Sequence, residues 1–372
     1  MRIGITCYPS HGGSGVVATE LGKLMSERGH QVHFISYDIP FRLGSFHHNI
    51  HYHEVEANRY AVLRVPPYDL ALANRMAQVA KMHHLDLIHV HYAVPHALCA
   101  YLAKQMVGKS LKVVTTLHGT DITVLGEDPS LKDIICFGIN HSDAVTAVSE
   151  SLVRQTKELF CVDQGLDKIY NFVDQRVYKP KDVSDIRCEY ATNEEKLLLH
   201  ISNFRAVKRP LDVIRIFEQV QKHVPSRLIL VGEGPEWPRA VQLAKDLGLE
   251  SKISFLGKQD EVARLISLAD LLLLPSSKES FGLVALEAMA CGVPTVGSRA
   301  GGLPEVVIDG ETGFLSEVGD VSHMAKNAIR LLTDSELYHR CSENGLIRAK
   351  EVFCAEKIAD QYEALYQRVI ET

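Results

Sequence analysis

Three short segments carry the residue types that can handle an anionic, hydroxyl-rich ligand. The first, Ser202-Asn203-Phe204-Arg205-Ala206-Val207-Lys208-Arg209-Pro210, places three cations within five residues directly after an apolar run. Arginine offers a planar two-pronged contact and lysine a point charge, which together suit a diphosphate. The same residues also read as a solvated basic loop. The second segment, Ser276 to Glu287, holds two carboxylates, Glu279 and Glu287, on either side of Ser280-Phe281-Gly282-Leu283. A helix opening near Phe281–Leu283 and capped by Ser280 would aim its free amides at phosphate oxygens. The carboxylates would then hydrogen-bond sugar and ribose hydroxyls, or serve only as favourable charges beside a helix N-terminus. The third, His11-Gly12-Gly13-Ser14-Gly15, is a glycine-rich turn that lets backbone approach a ligand closely. It lacks both the G-x-G-x-x-G order and the acidic residue that mark nicotinamide binding, and it equally suits a tight structural turn.

These segments need elements to position them. Short β-branched runs alternate with longer helical stretches, the pattern of parallel sheets covered by helices. In the first half, strands are expected at Arg2–Thr6, Gln31–Ser36, Asp86–His91, Lys112–Leu117 and Asp143–Val148. In the second they are expected at Lys196–Ile201, Arg227–Val231, Lys252–Leu256, Asp270–Pro275 and Thr295–Gly297. The fold class is therefore α/β, with two Rossmann-like domains facing across a cleft at the carboxyl ends of their strands. Tyr170–Glu195, with Pro180 and a charged stretch, reads as the linker. A terminal amphipathic helix follows from the spacing of Ile358, Tyr362, Leu365 and Val369.

Composition narrows the function. At 372 residues the chain exceeds the roughly 250–300 at which single cores stop growing. A net charge of −6 gives no support for broad nucleic-acid binding. No apolar run approaches the roughly 18 residues of a membrane span, and the start lacks a signal peptide's apolar segment. Eight cysteines without a C-x-x-C pair fit a reducing, cytoplasmic setting. Histidines 47, 48, 51, 53, 83, 84, 89, 91 and 96 invite a metal reading, and His89-x-His91 puts two on one strand face. No acidic partner at ligand spacing accompanies them and there is no D-x-D, so no metal is expected.

The Glu279/Glu287 pair, spaced E-x7-E and followed by Gly301-Gly302-Leu303-Pro304-Glu305, resembles the donor-site signature of retaining family-4 glycosyltransferases of the GT-B fold. The turn at 12–15 and His118-Gly119-Thr120-Asp121 resemble that family's acceptor-side elements. Ile3–Pro9, Val114–Leu125, Tyr170-Asn171-Phe172-Val173-Asp174 and Ser202–Arg209 are similar to its bacillithiol-pathway members in particular. The resemblance implies UDP-GlcNAc as donor, the hydroxyl of L-malate as acceptor, no cofactor or metal, and a homodimer. It assigns the acceptor to residues 1–170, completed by the helix 355–372, and the UDP-sugar to residues 171–354. Hinges are implied near Tyr170–Asp174 and near Phe353.

Residue by residue, the resemblance makes His118, Arg205 and Lys208 catalytic. Gly13, Arg209, Gly257, Lys258, Glu279, Phe281, Gly282, Leu283 and Glu287 would bind the donor. Ser14, Tyr92, Thr116, Asn171 and Arg64 would receive the acceptor; Ser14 and Tyr92 rest on matched motif positions, Arg64 on its charge beside Pro66-Pro67-Tyr68. One departure stands out. Relatives place an arginine five or six residues before the loop lysine, where this chain has Asn203 and Ser202, so Arg205 or Arg209 must share the pyrophosphate. Retention by double displacement needs a carboxylate nucleophile, for which Asp121 is the nearest; same-face attack is the preferred route. A different acceptor, or epimerisation of UDP-GlcNAc on the same fold, is the alternative.

Overall fold

The runs rich in Ile, Val and Leu form strands, and every strand pair is parallel. The computed structural model describes residues 1–9, 12–44, 47–57, 65–108, 110–160, 162 and 165–372. The chain divides into two units, Met1–Asn171 with Ala355–Thr372, and Phe172–Cys354.

Unit one holds β1 (Arg2–Thr6), β2 (Gln31–Ser36), β3 (Ile50–Glu54), β4 (Leu87–His91), β5 (Lys112–Leu117), β6 (Ala144–Ala147) and β7 (Leu166–Lys168). Their order across the sheet is β3-β2-β1-β4-β5-β6-β7. Unit two holds β8 (Lys196–Ile201), β9 (Ser226–Val231), β10 (Ile253–Gly257), β11 (Leu271–Leu274), β12 (Thr295–Ser298) and β13 (Gly313–Ser316), ordered β10-β9-β8-β11-β12-β13. Central strands are buried on both faces, as parallel sheets under helices must be: Ile3, Ile5, Leu87, Leu198, Leu199, Leu271 and Leu272 are all fully enclosed. In each sheet the winding reverses at one place, between β1 and β4 and between β8 and β11. Loops diverge there and leave a crevice at the carboxyl ends of the strands.

Three strands escape the sequence reading for a physical reason. β3 is Ile-His-Tyr-His-Glu, a polar edge strand that buries no residue fully, and β7 has only three residues. β13 is four residues opened by Gly313. Tyr170–Glu195 is packed rather than a free linker. It buries Phe172, Val173, Tyr178 and Val183, forms a helix at Ser184–Tyr190, and ties Arg187 to Asp270 at 2.8 Å.

The terminal helix Ala355–Glu371 belongs to unit one and buries Ile358, Tyr362, Leu365, Tyr366 and Val369. Arg28, just past the helix Gly13–Glu27, holds it through Glu356, Asp360 and Glu363, all within 2.7 Å. Among the described residues the cysteines are free and no helix is long and apolar enough to cross a membrane.

Candidate active site

In unit two, the strand ends at the β8/β11 reversal carry the basic loop and the carboxylate segment. β8 releases Ser202–Arg209. His200 Nδ1 donates to the Leu273 carbonyl at 2.9 Å, so its Nε2 accepts from Ser202 Oγ at 2.8 Å. That hydroxyl in turn accepts the Phe204 amide at 3.2 Å. Burial pushes the His200 pKa down to about 4 and keeps the ring neutral. The Phe204 ring is fully buried, 5.0 Å from Trp237, which fixes the root of the loop.

Those cations have different fates. Lys208 Nζ lies 2.6 Å from Glu279 Oε2, in a pair largely withdrawn from solvent. Arg209 is bound to Asp212 at 2.5 Å, and the same carboxylate holds Arg215 at 3.0 Å. Arg205 is exposed and has no ion-pair partner among the described residues.

The loop after β11 is stitched to the basic loop where the Ser277 amide and hydroxyl both donate to the Val207 carbonyl, at 2.8 and 3.2 Å. The Gly301-Gly302 turn holds Glu279 from the other side. Gly302 donates to the Glu279 carbonyl at 2.8 Å, and a Cβ on Gly301 would sit 2.0 Å from that oxygen. The helix Leu283–Ala290 opens at Gly282, whose φ is +99°. Ser280 therefore is not its cap, contrary to the sequence expectation: the left-handed Gly282 takes that position and brings no side chain. The first-turn amides of Leu283, Val284 and Ala285 are left without a side-chain cap, which is a ready site for an anion.

Phe281 is buried at 5.6 Å from Phe353, so its backbone alone is available to a donor. Glu287 is buried one turn into the helix. Gly257 has φ +66° and its carbonyl accepts the Gly232 amide at 2.7 Å, while Lys258 is exposed.

Sequence reasoning missed His200 and the turn Gly232-Glu233-Gly234. A Cβ on Gly232 would lie 1.8 Å from the Ser202 carbonyl, and one on Gly234 1.9 Å from that of Asn203. The signal was present: Val231-Gly232-Glu233-Gly234-Pro235 closes a strand exactly as the other site loops do.

In unit one, β1, β4 and β5 are neighbours, and the loops leaving them contain the acceptor-side residues. The helix Gly13–Glu27 starts after Gly12, which has no side chain to cap it, and Ser14 is buried in its first turn. Tyr92, just past β4, has φ +97°, a conformation uncommon for a non-glycine residue and costing about 1–3 kcal/mol. Its amide donates to Thr116 at 3.0 Å, and its ring lies 5.8 Å from His118 and 5.3 Å from Tyr8. Tyr8, two residues beyond β1, is a further member that spacing alone did not mark.

Asp121 braces this turn. Its carboxylate accepts the amides of Ala93 (3.1 Å), His118 (3.2 Å) and Gly119 (2.8 Å), and burial pushes its pKa up to about 6. Its oxygens thus tie two loops together, the role of a positioning group. His118 Nε2 faces His91 Nδ1 at 2.8 Å. Thr116 requires a correction. Its buried hydroxyl meets His89 and Thr146 at 2.7 Å and Tyr362 at 3.3 Å, so it belongs to the interior and does not face an acceptor. Asn171 is buried at the end of unit one. Arg64 and His11 lie outside the described residues.

The fully buried His89 and His96 have pKa values pushed down by burial, to about 3 and about 4, and that of His91 is well lowered. Folded, these rings are neutral; unfolded, they take a proton near 6.5. Their contribution to stability is whole above about pH 6.5 and is lost as pH falls toward the folded values, at up to about 1.4 kcal/mol per pH unit for each ring. His96 Nδ1 donates to the His91 carbonyl at 2.6 Å, a bond that an asparagine amide can replace. Urea unfolding of His96→Asn between about pH 6 and 4.5 should therefore show an acid slope shallower by about 1.4 kcal/mol per unit. An unchanged slope would mean that His96 is already protonated in the fold.

Two parallel-sheet units of this order, with phosphate-suited loops at the winding reversal, define a GT-B glycosyltransferase. Residues 11–177 match the family described as Glycosyltransferase Family 4, and residues 183–348 that described as Glycosyl transferases group 1. The chain belongs to this glycosyltransferase family. It is 56% identical over 371 residues to the N-acetyl-alpha-D-glucosaminyl L-malate synthase of Bacillus anthracis, covering 100% of this chain and 97% of the relative. In fold it is similar to Anabaena HepE, solved with UDP and glucose (TM-score 0.84, 22% identity, 99% of both chains). It is similar also to the sucrose-phosphate synthase of Thermosynechococcus elongatus (TM-score 0.82, 22% identity, 100% of this chain and 99% of that one).

Proposed function

We propose that this enzyme transfers N-acetylglucosamine from UDP-GlcNAc to the hydroxyl of L-malate with retention at the anomeric carbon, in the cytoplasm and with no metal or cofactor taking part in the reaction. One observation carries the reading: the identity to the Bacillus anthracis enzyme extends over both units and nearly its whole length. In this reading Glu287 holds ribose hydroxyls, Gly257 and Lys258 line the base, and Glu279 receives a sugar hydroxyl. As the bond from C1 to the β-phosphate oxygen breaks, negative charge builds on that phosphate. Lys208, Arg205 and the amides opening the helix at Leu283 stabilise it, which is preorganised electrostatic catalysis. Arg205 takes the phosphate role in preference to Arg209, which is engaged by Asp212. The malate hydroxyl oxygen bonds C1 from the face that the phosphate leaves, and its proton passes to the departing β-phosphate oxygen. His118 orients the sugar. Ser14 and Tyr92 receive the dicarboxylate, and the chain works as a homodimer.

Purified protein given UDP-GlcNAc and L-malate should release UDP only when both are present and form an α-linked product by mass and NMR. UDP release with an inositol phosphate or a glycan, but not with malate, would transfer the reading to another acceptor. Free ManNAc without acceptor would make the enzyme an epimerase.

A further inference from the structure

A second polar cluster lies on the β2–β3 edge of unit one, among residues with no part in the proposed reaction. Parallel register sets His33 opposite His51, and His53, two residues on, shares their face. His83, the last residue of the helix Tyr68–His83, closes the group. His33 Nδ1 and His53 Nε2 are 2.9 Å apart, and the His33 and His83 rings are 4.5 Å apart. One ring nitrogen from each of His33, His53 and His83 lies within 4.8 Å of the others. His33 is buried, and its Nε2 has no hydrogen-bond partner among the described residues.

We propose that His33, His53 and His83 bind one divalent transition-metal ion of the zinc class. Two imidazole nitrogens about 2.0–2.1 Å from a shared ion stand about 2.9 Å apart at right angles and about 3.4 Å apart in a tetrahedron. The 2.9 Å contact between His33 Nδ1 and His53 Nε2 is a hydrogen bond whose proton an ion would displace at close to the right-angle spacing, and the half-buried His83 offers the third nitrogen within 4.8 Å. Neutral imidazole is the form that a metal requires. The negative end of the helix at His83 favours a cation. Arg75 opposes one, since its charge is felt at both His53 and His83. Oxygen-seeking Mg²⁺ and Ca²⁺ are therefore excluded, and ions with strong imidazole affinity are selected. The ion would clip the edge strand β3 and the helix end to the sheet.

The test uses the untagged full chain, stripped with chelator and dialysed against Zn²⁺, with bound metal counted by mass spectrometry. Wild type should hold one equivalent. His53→Gln/His83→Gln should bind at least tenfold more weakly, while the exposed unit-two pair His223→Gln/His339→Gln should bind as wild type does. Zn²⁺ should raise the thermal midpoint of wild type and not that of the first variant, whose metal-free midpoint reports its folding. Should that variant not fold, His83→Gln alone, at the helix end, should show the same weakening. No stoichiometric metal on wild type, or equal binding by both double variants, overturns the proposal.

Discussion

Replacing Lys208 by alanine should lower kcat/KM for UDP-GlcNAc by about a hundredfold or more, chiefly through kcat. A charge-assisted contact to the leaving phosphate contributes about 1.5–3 kcal/mol, or about ten- to a hundredfold if made mainly in the transition state. A second loss adds to it. Lys208 neutralises Glu279 at 2.6 Å, and the Glu279 side chain is only 12% exposed. Removing one partner of a pair held partly out of solvent leaves the other charge stranded, which adds to the loss. The two losses share a residue, so Lys208→Met/Glu279→Gln should be less impaired than the product of the single effects. The arginines separate by the same logic. Arg205→Ala, exposed and unpaired among the described residues, should cut kcat about tenfold and leave the thermal midpoint unmoved. Arg209→Ala should instead lower the midpoint, because Asp212 loses a partner. Steady-state kinetics with unchanged kcat/KM for Lys208→Ala would remove it from the leaving-group role.

Why some of this was legible in the sequence follows from what holds each part. β1, β2, β5 and β8 have the bounds read from the sequence, because a strand buried on both faces writes its burial into the composition of its interior. β3 does not, since an edge strand of histidines has no such run. In the site, the spacing of Glu279, Gly301 and Gly302 was visible, but its cause was not. Gly301 is required by a carbonyl more than twenty residues away, beyond a helix and a strand, and the Gly302 amide donates to that same oxygen. The Lys208–Glu279 pair spans 71 positions and exists because β8 and β11 are neighbours at the winding reversal. Thr116 misled for the same reason. It lies near a strand end beside a family motif, yet its hydroxyl is engaged by Tyr362, 246 residues on, from a helix that returns to cover β5. Ser280 looked like a cap because serine favours that position, but the left-handed Gly282 moves the helix start past it. Residue type was readable; which oxygen meets which amide depended on chain crossings that local spacing does not contain.

Gly301→Ala should lower kcat/KM by about a hundredfold or more while the protein stays folded, and Gly310→Ala should leave it nearly unchanged. Both glycines are left-handed, with φ +52° and +78°, so both alanines carry the conformational cost of about 1–2 kcal/mol. They differ in what the new methyl group meets. At Gly310 nothing lies within 4 Å, whereas at Gly301 the Glu279 carbonyl oxygen is 2.0 Å away. No Cβ tolerates that approach, so either the turn or the Glu279 backbone must shift by about 1 Å, breaking the 2.8 Å bond from Gly302 and carrying the carboxylate off Lys208. A displacement of about 1 Å at a positioning group costs about a hundredfold in rate. Thermal midpoints of the two variants measure the shared backbone cost, and kinetics with UDP-GlcNAc isolate the seat of Glu279. Equal loss of activity in both would place the cause in the left-handed backbone itself and detach Glu279 from donor binding.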